Sequence, residues 1–172
     1  PTLNNFFNKK NVANLKEYIG QTDLICASNV ICHVPDLNDL IEAVNLLLSS
    51  DGTFIFEEPY LGSMFEKVSY DQIYDEHIFM FSATSVSKIF KRFDLKLVNA
   101  LPQSTHGGSM RYIIKRNNSE INQNIKKIIT FEEKEKINSL ESCLNFKKNC
   151  EISKEKMQLK IRKLKEKGKK IC

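Results

Sequence analysis

The 172-residue chain has the length of one domain, or of one domain with an extension, and its 41% apolar residues are enough to form a core. Charged residues make up 27% of the chain, which is ordinary for a soluble protein and excludes a disordered chain. Its apolar runs fall far short of the ~18 residues of a membrane span, and no signal peptide is visible, so we expect no membrane association.

The net charge of +5 comes from one C-terminal segment. Residues 151–170 contain nine Lys or Arg and three Asp or Glu. The other residues contain seventeen Lys or Arg and eighteen Asp or Glu. The main body is therefore close to neutral, and its charge does not indicate nucleic-acid binding.

The cysteine count is odd and no two cysteines form a C-x-x-C pair, which favours a reduced, cytoplasmic compartment. The five are Cys26, Cys32, Cys143, Cys150 and Cys172. Because the chain starts at Pro1 and stops abruptly after Cys172, we expect it to be a fragment of a longer protein.

The first half of the chain has the pattern of a βαβ unit. Residues 23–31 form an apolar run that predicts a strand buried on both faces. Residues 36–48 predict a helix with Asp36 as its N-cap, residues 49–52 a turn, and residues 53–56 the next buried strand.

The second half is expected to complete the sheet and then turn helical. We predict a helix over residues 82–93, followed by strands at 95–98 and 110–114 that form an antiparallel pair at the sheet edge. From residue 119 onward, apolar residues at helical spacing predict one long or two broken amphipathic helices. Their stripe could pack on the main body or on a missing domain, form a coiled coil, or serve as a basic arm for nucleic acid; we favour packing.

Candidate site residues gather where the predicted parallel strands end. Glu57 and Glu58 follow the second strand, while Asn29 and His33 follow the first, and the carboxyl ends of such strands are where open α/β sheets bind ligands. The other two histidines, His77 and His106, lie in predicted rim loops. Since no H-x-x-x-H or C-x-x-C spacing occurs, we expect no metal site.

The densest cluster of reactive side chains is the segment Tyr70–His77. His77 is suited to act as a general base at neutral pH. Glu76 could hold one ring nitrogen, and Tyr74, one helical turn away, could donate a hydrogen bond to an oxyanion. The alternative, about equally favoured by the residues alone, is that the tyrosines only pack while the acids face water.

The second cluster is Thr105–Ser109, with paired glycines. Paired glycines permit either the close approach of a ligand to the backbone or a tight turn before the last strand. On the residues alone, the turn is favoured.

Four motifs in series resemble the S-adenosylmethionine-dependent sugar C-methyltransferases, across nearly the whole chain. They are Asn-Val-Ile-Cys-His at 29–33, Phe-Glu-Glu-Pro-Tyr at 56–60, Tyr-Asp-Gln-Ile-Tyr-Asp-Glu-His at 70–77 and His-Gly-Gly-Ser-Met-Arg at 106–111. That family methylates C3 of nucleotide-linked 4-keto-6-deoxy sugars. The resemblance implies an α/β fold: the C-terminal part of a Rossmann-like class I methyltransferase sheet, with an antiparallel edge pair, followed by helices.

The resemblance also implies roles for individual residues. His77 would remove the C3 proton to give an enolate, and His33, Tyr74 and Glu76 match the family's other active-site positions. The nucleotide-sugar would lie near Glu58, Tyr60, His106, Gly107, Gly108 and Arg111. For the cofactor, S-adenosylmethionine, we expect contacts only from Asn29 and Phe7.

The chain departs from the family pattern at its start. The glycine-rich cofactor loop and the acidic strand end that follows it are not found, and we expect them before residue 1. The family's zinc domain would lie earlier still. We therefore expect residues 1–118 to be a partial methyltransferase domain, and residues 119–172 to lead into a missing C-terminal domain. Such a fragment would bind the cofactor weakly or not at all on its own.

Two other functions remain open. The same fold could methylate oxygen or nitrogen of another small molecule, with less need of a base. Alternatively, the chain could be a non-catalytic methyltransferase-like module with a basic arm. The oligomeric state cannot be predicted from the sequence.

Overall fold

The computed structural model describes residues 2–171, which form one four-stranded sheet and six helices. The strands are β1 (Thr22–Ser28), β2 (Leu48–Pro59), β3 (Leu95–Gln103) and β4 (Ser109–Arg116). The helices are α1 (Lys9–Val12), α2 (Leu37–Leu47), α3 (Leu61–Lys67), α4 (Ala83–Lys91), α5 (Gln123–Lys134) and α6 (Leu140–Glu166). Short 3-10 turns cover Ile31–His33, Tyr70–Gln72 and Thr105–Gly107.

The sheet combines a parallel pair with an antiparallel edge. Its order is β1-β2-β4-β3, with β1 parallel to β2, and with β4 antiparallel to both β2 and β3. This arrangement confirms the predicted α/β fold with an antiparallel edge pair. The carboxyl ends of β1 and β2 consequently lie side by side.

The helix between the parallel strands forms as its sequence predicts. The Asp36 side chain accepts a hydrogen bond from the Asp39 amide and so caps the first turn of α2. The apolar face of α2 is buried, with Ile41 and Val44 fully covered. This packing fixes where β2 begins and therefore how its carboxyl end meets that of β1.

Strand β1 is not buried on both faces, in contrast to the prediction. Leu24 is 56% exposed and Cys26 is also exposed, whereas Ile25 and Ala27 are partly buried. The physical reason is that only the face with Ile25 and Ala27 packs against the core, whereas nothing among the described residues buries the opposite face. An apolar run indicated a strand correctly but did not show whether a neighbour covers it.

Residues 49–52 are not a separate turn, which is the second difference from the prediction. They belong to β2, and the register between β1 and β2 jumps there from Thr22 opposite Leu48 to Leu24 opposite Thr53. Gly52 permits this irregularity, since a Cβ at that position would lie 2.7 Å from the Thr22 carbonyl oxygen. The strand is thus longer than the apolar run alone suggested.

The core beneath the site is rich in stacked aromatic rings. Phe56 lies 4.9 Å from Tyr112 and 5.6 Å from Phe90, measured between ring centroids, and all three side chains are buried. Helix α4, whose N-cap Ser82 forms a capping box with Ser85, supplies Phe90. The sheet therefore provides a rigid platform for the loops at its rim.

The C-terminal segment forms two helices that differ in how they pack. Ile125 of α5 is buried against the core, which agrees with the prediction that the apolar stripe of this segment packs on the main body. In α6 most apolar side chains remain exposed, including Leu140 and Met157, while Phe146 packs on Phe65 with ring centroids 5.1 Å apart. Within residues 2–171, none of the helices combines the length and the apolar character that crossing a membrane demands.

Candidate active site

Two loops and the end of β2 meet at the rim of the sheet. The Asn29 amide donates to the Glu57 carbonyl, and the Val30 and Ile31 amides donate to one carboxylate oxygen of Glu58 at 3.0 and 2.6 Å. These bonds fix the loop that follows β1. The short 3-10 turn that continues this loop ends at His33.

The His33 ring is oriented by a main-chain carbonyl. Its Nδ1 lies 2.9 Å from the carbonyl oxygen of Glu76. Because a carbonyl oxygen only accepts hydrogen bonds, we assign the proton to Nδ1. In the neutral ring Nε2 is then unprotonated and able to accept a proton.

His77 is held in the same tautomer by a different carbonyl. Its Nδ1 lies 2.8 Å from the Gln72 carbonyl oxygen, and its Nε2 lies 2.7 Å from the Tyr74 hydroxyl. With the proton on Nδ1, the Tyr74 hydroxyl donates to Nε2. The ring nitrogen that would act as a base is therefore already paired with a hydrogen-bond donor.

The two imidazoles lie next to each other, as expected from the sequence. Their ring centroids are 4.9 Å apart, and the Tyr74 ring lies 4.0 Å from that of His77. Both histidines are partly exposed rather than sealed among aliphatic side chains. Desolvation, followed by the neighbouring Cys32 and Glu76, raises the pKa of Tyr74, so its hydroxyl stays protonated at neutral pH.

Glu76 does not hold the His77 ring, which corrects the expected triad. The Gln72 carbonyl takes that position, and the Glu76 side chain is exposed. What Glu76 contributes to the cluster is its main-chain carbonyl, which accepts from His33. No sequence signal marks such a partner, since every residue has a carbonyl.

Glu58 and Tyr60 are not presented to a substrate, which corrects a second expectation. Glu58 is 0% exposed and bonded to the loop after β1. Tyr60 is buried and donates its hydroxyl to the buried carboxylate of Glu132 at 3.0 Å, and burial, reinforced by Glu132, raises its pKa. Both side chains therefore act inside the fold, and a direct contact with substrate would require them to be uncovered.

The glycine-rich loop at 105–108 is a tight turn packed on helix α3. His106 and Gly107 both adopt left-handed backbone angles, and the Lys67 ammonium donates to the Gly107 carbonyl at 2.5 Å. A Cβ on Gly108 would lie 2.5 Å from the Ser63 side chain, so a glycine is needed there. The turn interpretation is confirmed, while a role in binding ligand stays a prediction.

Glu57 ties this loop to strand β4. Its carboxylate accepts hydrogen bonds from the Thr105 hydroxyl at 2.9 Å and from the Arg111 guanidinium, also at 2.9 Å. Desolvation acts to raise the pKa of Glu57, but the bonds from Thr105 and Arg111, together with the charge of His106, lower it overall. Arg111, expected to meet a phosphate, is thus already paired on one side.

A cavity of about 880 Å³ opens at the end of β1 and reaches His33. Phe7, Asn29 and His33 all line it, together with a mainly apolar wall that includes Ile25, Val34, Leu40 and Phe54. An apolar cavity with an aromatic ring and a few polar groups suits a ligand that carries a flat base and a polar tail. The residues present therefore fit S-adenosylmethionine, and both residues expected to contact it lie in this cavity.

Three potential metal ligands also come together, although the sequence spacing does not reveal them. Ligand atoms of Cys32, His33 and His77 lie within 4.8 Å of one another. Burial, and then the neighbouring Glu58, strongly raise the pKa of the Cys32 thiol, which keeps it protonated at neutral pH. The absence of a metal from this site stays a prediction.

Comparisons with known proteins find methyltransferase families and relatives. Residues 2–100 match the family described as "Methyltransferase domain", and residues 104–172 match the family described as "C-methyltransferase C-terminal domain". The C-methyltransferase NovU of Streptomyces niveus is 32% identical over 91 residues, which are 53% of this chain and 22% of NovU. The chain thus spans about a fifth of the length of this curated relative.

Two solved structures show a more distant likeness. The PH0226 protein of Pyrococcus horikoshii is 15% identical with a TM-score of 0.44, and the match covers 58% of this chain and 53% of that one. A methyltransferase of Anabaena variabilis, described as dependent on S-adenosylmethionine, is 17% identical with a TM-score of 0.43, over 64% of this chain and 55% of that one. Since the first family match alone spans more than half of the residues, the chain belongs to the methyltransferase domain family.

Proposed function

We propose that the protein transfers a methyl group from S-adenosylmethionine to C3 of a nucleotide-linked 4-keto-6-deoxy sugar, with His77 as the base. One observation carries the proposal. The ring centroid of His77, whose tautomer is fixed, lies 4.9 Å from that of His33, and His33 lines the large cavity at the end of β1. Methylation at carbon requires a base close to the cofactor, and His33 connects His77 to this cavity.

Phe7 and Asn29 would hold the cofactor in this cavity. When bound, the cofactor supplies a sulfonium methyl group, which a carbon nucleophile attacks while the electrons of the broken bond remain on sulfur. The chain's contribution to that displacement is to align the two reactants and to keep the nucleophile dry.

The chemical demand on the chain is removal of the C3 proton. The neighbouring 4-keto group acidifies this proton, and its transfer to Nε2 of His77 leaves the electron pair on the enolate oxygen. The Nδ1–H bond to the Gln72 carbonyl persists in the resulting imidazolium and keeps the ring in place. His77 therefore needs no rearrangement to accept the proton once Tyr74 releases Nε2.

Tyr74 is the better placed donor for the enolate oxygen. Its hydroxyl, which donates to Nε2 of His77 without substrate, becomes free when Nε2 takes the proton. His33 in its neutral form presents an unprotonated Nε2 and so offers no hydrogen to an oxyanion. We assign charge stabilisation to Tyr74 and the shaping of the site to His33.

The nucleotide part of the substrate is assigned to the loop of His106, Gly107 and Gly108 and to Arg111. Glu57 binds Nε and Nη2 of Arg111, and no hydrogen bond from Nη1 is found among residues 2–171. Nη1 is thus the donor that remains for a phosphate oxygen. In the loop backbone Gly107 allows a ligand to approach closely, whereas the space beside Gly108 is filled by Ser63.

The test uses the full-length protein with S-adenosylmethionine that carries a ¹³C-labelled methyl group. We expect a product whose labelled methyl is bonded to carbon, seen by its ¹³C shift and its coupling to the sugar ring. A labelled methyl on oxygen or nitrogen would refute methylation at carbon and favour the alternative of O- or N-methylation.

A further inference from the structure

We propose that Glu58 is a positioning residue that sets the orientation of the His33 ring and, through it, that of the turn carrying His77. The proposal deepens the proposed function, on which the catalytic meaning of the two histidines rests. It concerns the geometry of the free protein and can be tested without substrate.

The position of Glu58 singles it out. It is the next-to-last residue of β2, it is fully buried, and one of its carboxylate oxygens accepts the amides of Val30 and Ile31. Val30 is the N-cap and Ile31 the first residue of the 3-10 turn that ends at His33. Removing the shared acceptor would leave two amides unsatisfied, and the loop would have to turn to find new partners.

The same loop is bonded to the segment that carries His77. The Cys32 carbonyl accepts from the amides of Ile78 and Phe79 at 2.9 and 3.3 Å, and the His33 ring donates to the Glu76 carbonyl. A displacement of residues 30–33 therefore breaks bonds on both sides of His77. The chain of contacts runs from the sheet, through Glu58, to both imidazoles.

The side chain of Cys32 completes the buried contact. Its thiol is buried, and both its burial and the neighbouring Glu58 raise its pKa. The second carboxylate oxygen of Glu58 is buried and has no hydrogen-bond partner among residues 2–171. Glu58 thus faces inward, toward the loop it holds, and its burial separates it from substrate.

The test is NMR of the full-length protein with ¹⁵N-labelled histidine. The ¹⁵N shifts of the ring nitrogens report which one carries the proton, and the signals are assigned with His33→Gln and His77→Gln variants. We expect wild-type His33 and His77 to show the proton on Nδ1. In Glu58→Leu the His33 signals should move toward values averaged over both tautomers, whereas Glu58→Gln, which keeps a carbonyl acceptor, should resemble wild type.

A matched control separates positioning from general loosening. Glu132 is also fully buried, and it accepts the amides of Ala83 and Thr84 at the start of α4. Glu132→Leu should lower the melting temperature while leaving the His33 and His77 signals unchanged. Equal displacement of those signals in both Leu variants would overturn the proposal.

A wild-type His33 spectrum in Glu58→Leu would overturn it as well. If Glu58→Leu does not fold, Glu58→Asp takes its place. Its side chain is one methylene shorter and should not reach both amides, so we expect the same averaging of the His33 signals over both tautomers. Deuterium exchange of the substrate tests the base independently, so failure of the positioning role and failure of the proposed function give different results.

Discussion

The Nδ1 atoms of His33 and His77 each form a hydrogen bond with a main-chain carbonyl, that of Glu76 for His33 and that of Gln72 for His77. A carbonyl fixes the tautomer and the direction of the ring without placing a further charge beside it. Both rings consequently present Nε2 for chemistry. For His77, Tyr74 is the group that controls access to this nitrogen.

Replacing Tyr74 by Phe tests this control. The loss of the hydroxyl removes the donor assigned to the enolate oxygen, and we expect kcat to fall by about 10²-fold. Because Tyr74 is 47% exposed, the free energy of unfolding should change by less than about 0.5 kcal/mol.

Tyr70→Phe is the matched control for that measurement. Tyr70 is 44% exposed, and its hydroxyl takes part in no hydrogen bond among the described residues. It should keep the wild-type rate. Equal rates for the two variants would remove Tyr74 from the chemistry.

The ion pair of Glu57 and Arg111 predicts a pH-dependent stability. The pKa of Glu57 in the folded chain lies below its usual value of 4.5, so its carboxylate adds stability above pH 4.5, and this is lost as the pH falls through the folded pKa. Glu57→Gln should lower the unfolding free energy by up to about 1 kcal/mol at pH 7. In urea unfolding, the difference from wild type should shrink below about pH 4.5; a constant difference down to pH 3 would contradict this assignment.

The sequence predicted the reactive side chains better than their partners. Histidine is rare in this chain, and His33 and His77 could be placed at the rim from the strand pattern. The bonds that orient them come from the backbone of Gln72 and Glu76, and no residue type announces such a bond. The resemblance placed Glu58 near the substrate, but its side chain is fully buried. A sequence does not show into which side of the strand end a carboxylate points.

At the scale of elements, the loop of residues 105–108 depends on one glycine for steric reasons. Gly108 has a φ of 129°, and its missing Cβ leaves room for Ser63. Gly108→Ala should lower the unfolding free energy by at least about 2 kcal/mol more than Gly107→Ala, because only the first adds a clash to the cost of positive φ. At Gly107 an added Cβ would meet only the Ser69 hydroxyl, at 3.6 Å.

Chemical unfolding of both glycine variants provides the measurement. Equal losses of stability would show that Ser63 moves aside. The loop would then be more easily displaced than its packing on α3 indicates.

The elements themselves were largely predictable, and their exposure was not. Periodicity and the cap at Asp36 gave α2 within a residue at either end. The exposure of β1 depends on what packs over each of its faces, and the extension of β2 through residues 49–52 depends on the register irregularity at Gly52. Local patterns do not contain this information, since it is set by pairing between distant segments.

At the scale of the whole molecule, the cavity and the histidine pair form one continuous region through His33. The parallel pair supplies the rim, and the antiparallel pair supports it from the side through Arg111 and Glu57. Helix α6 packs on Phe65 through Phe146, and its Lys147 and Lys154 line a second cavity with Tyr70 and Ile73.

The cofactor cavity predicts the effect of two substitutions on the affinity for S-adenosylhomocysteine. Phe7→Ala and Asn29→Ala each remove a group that lines the cavity, and we expect the Kd of the full-length protein to rise about tenfold, which corresponds to about 1.4 kcal/mol. Calorimetric titration measures this. Phe131→Ala, on the exposed side of α5, is the control and should bind as wild type does; an unchanged Kd in both cavity variants would place the cofactor elsewhere.

The base assignment is tested most directly by hydrogen exchange at C3 of the keto sugar in deuterated water. With S-adenosylhomocysteine in place of the methyl donor, the wild-type full-length protein should exchange this proton. His77→Asn, which removes Nε2, should lose both exchange and methyl transfer by about 10²-fold or more. Exchange at the wild-type rate in His77→Asn would contradict the central claim that this imidazole generates the enolate.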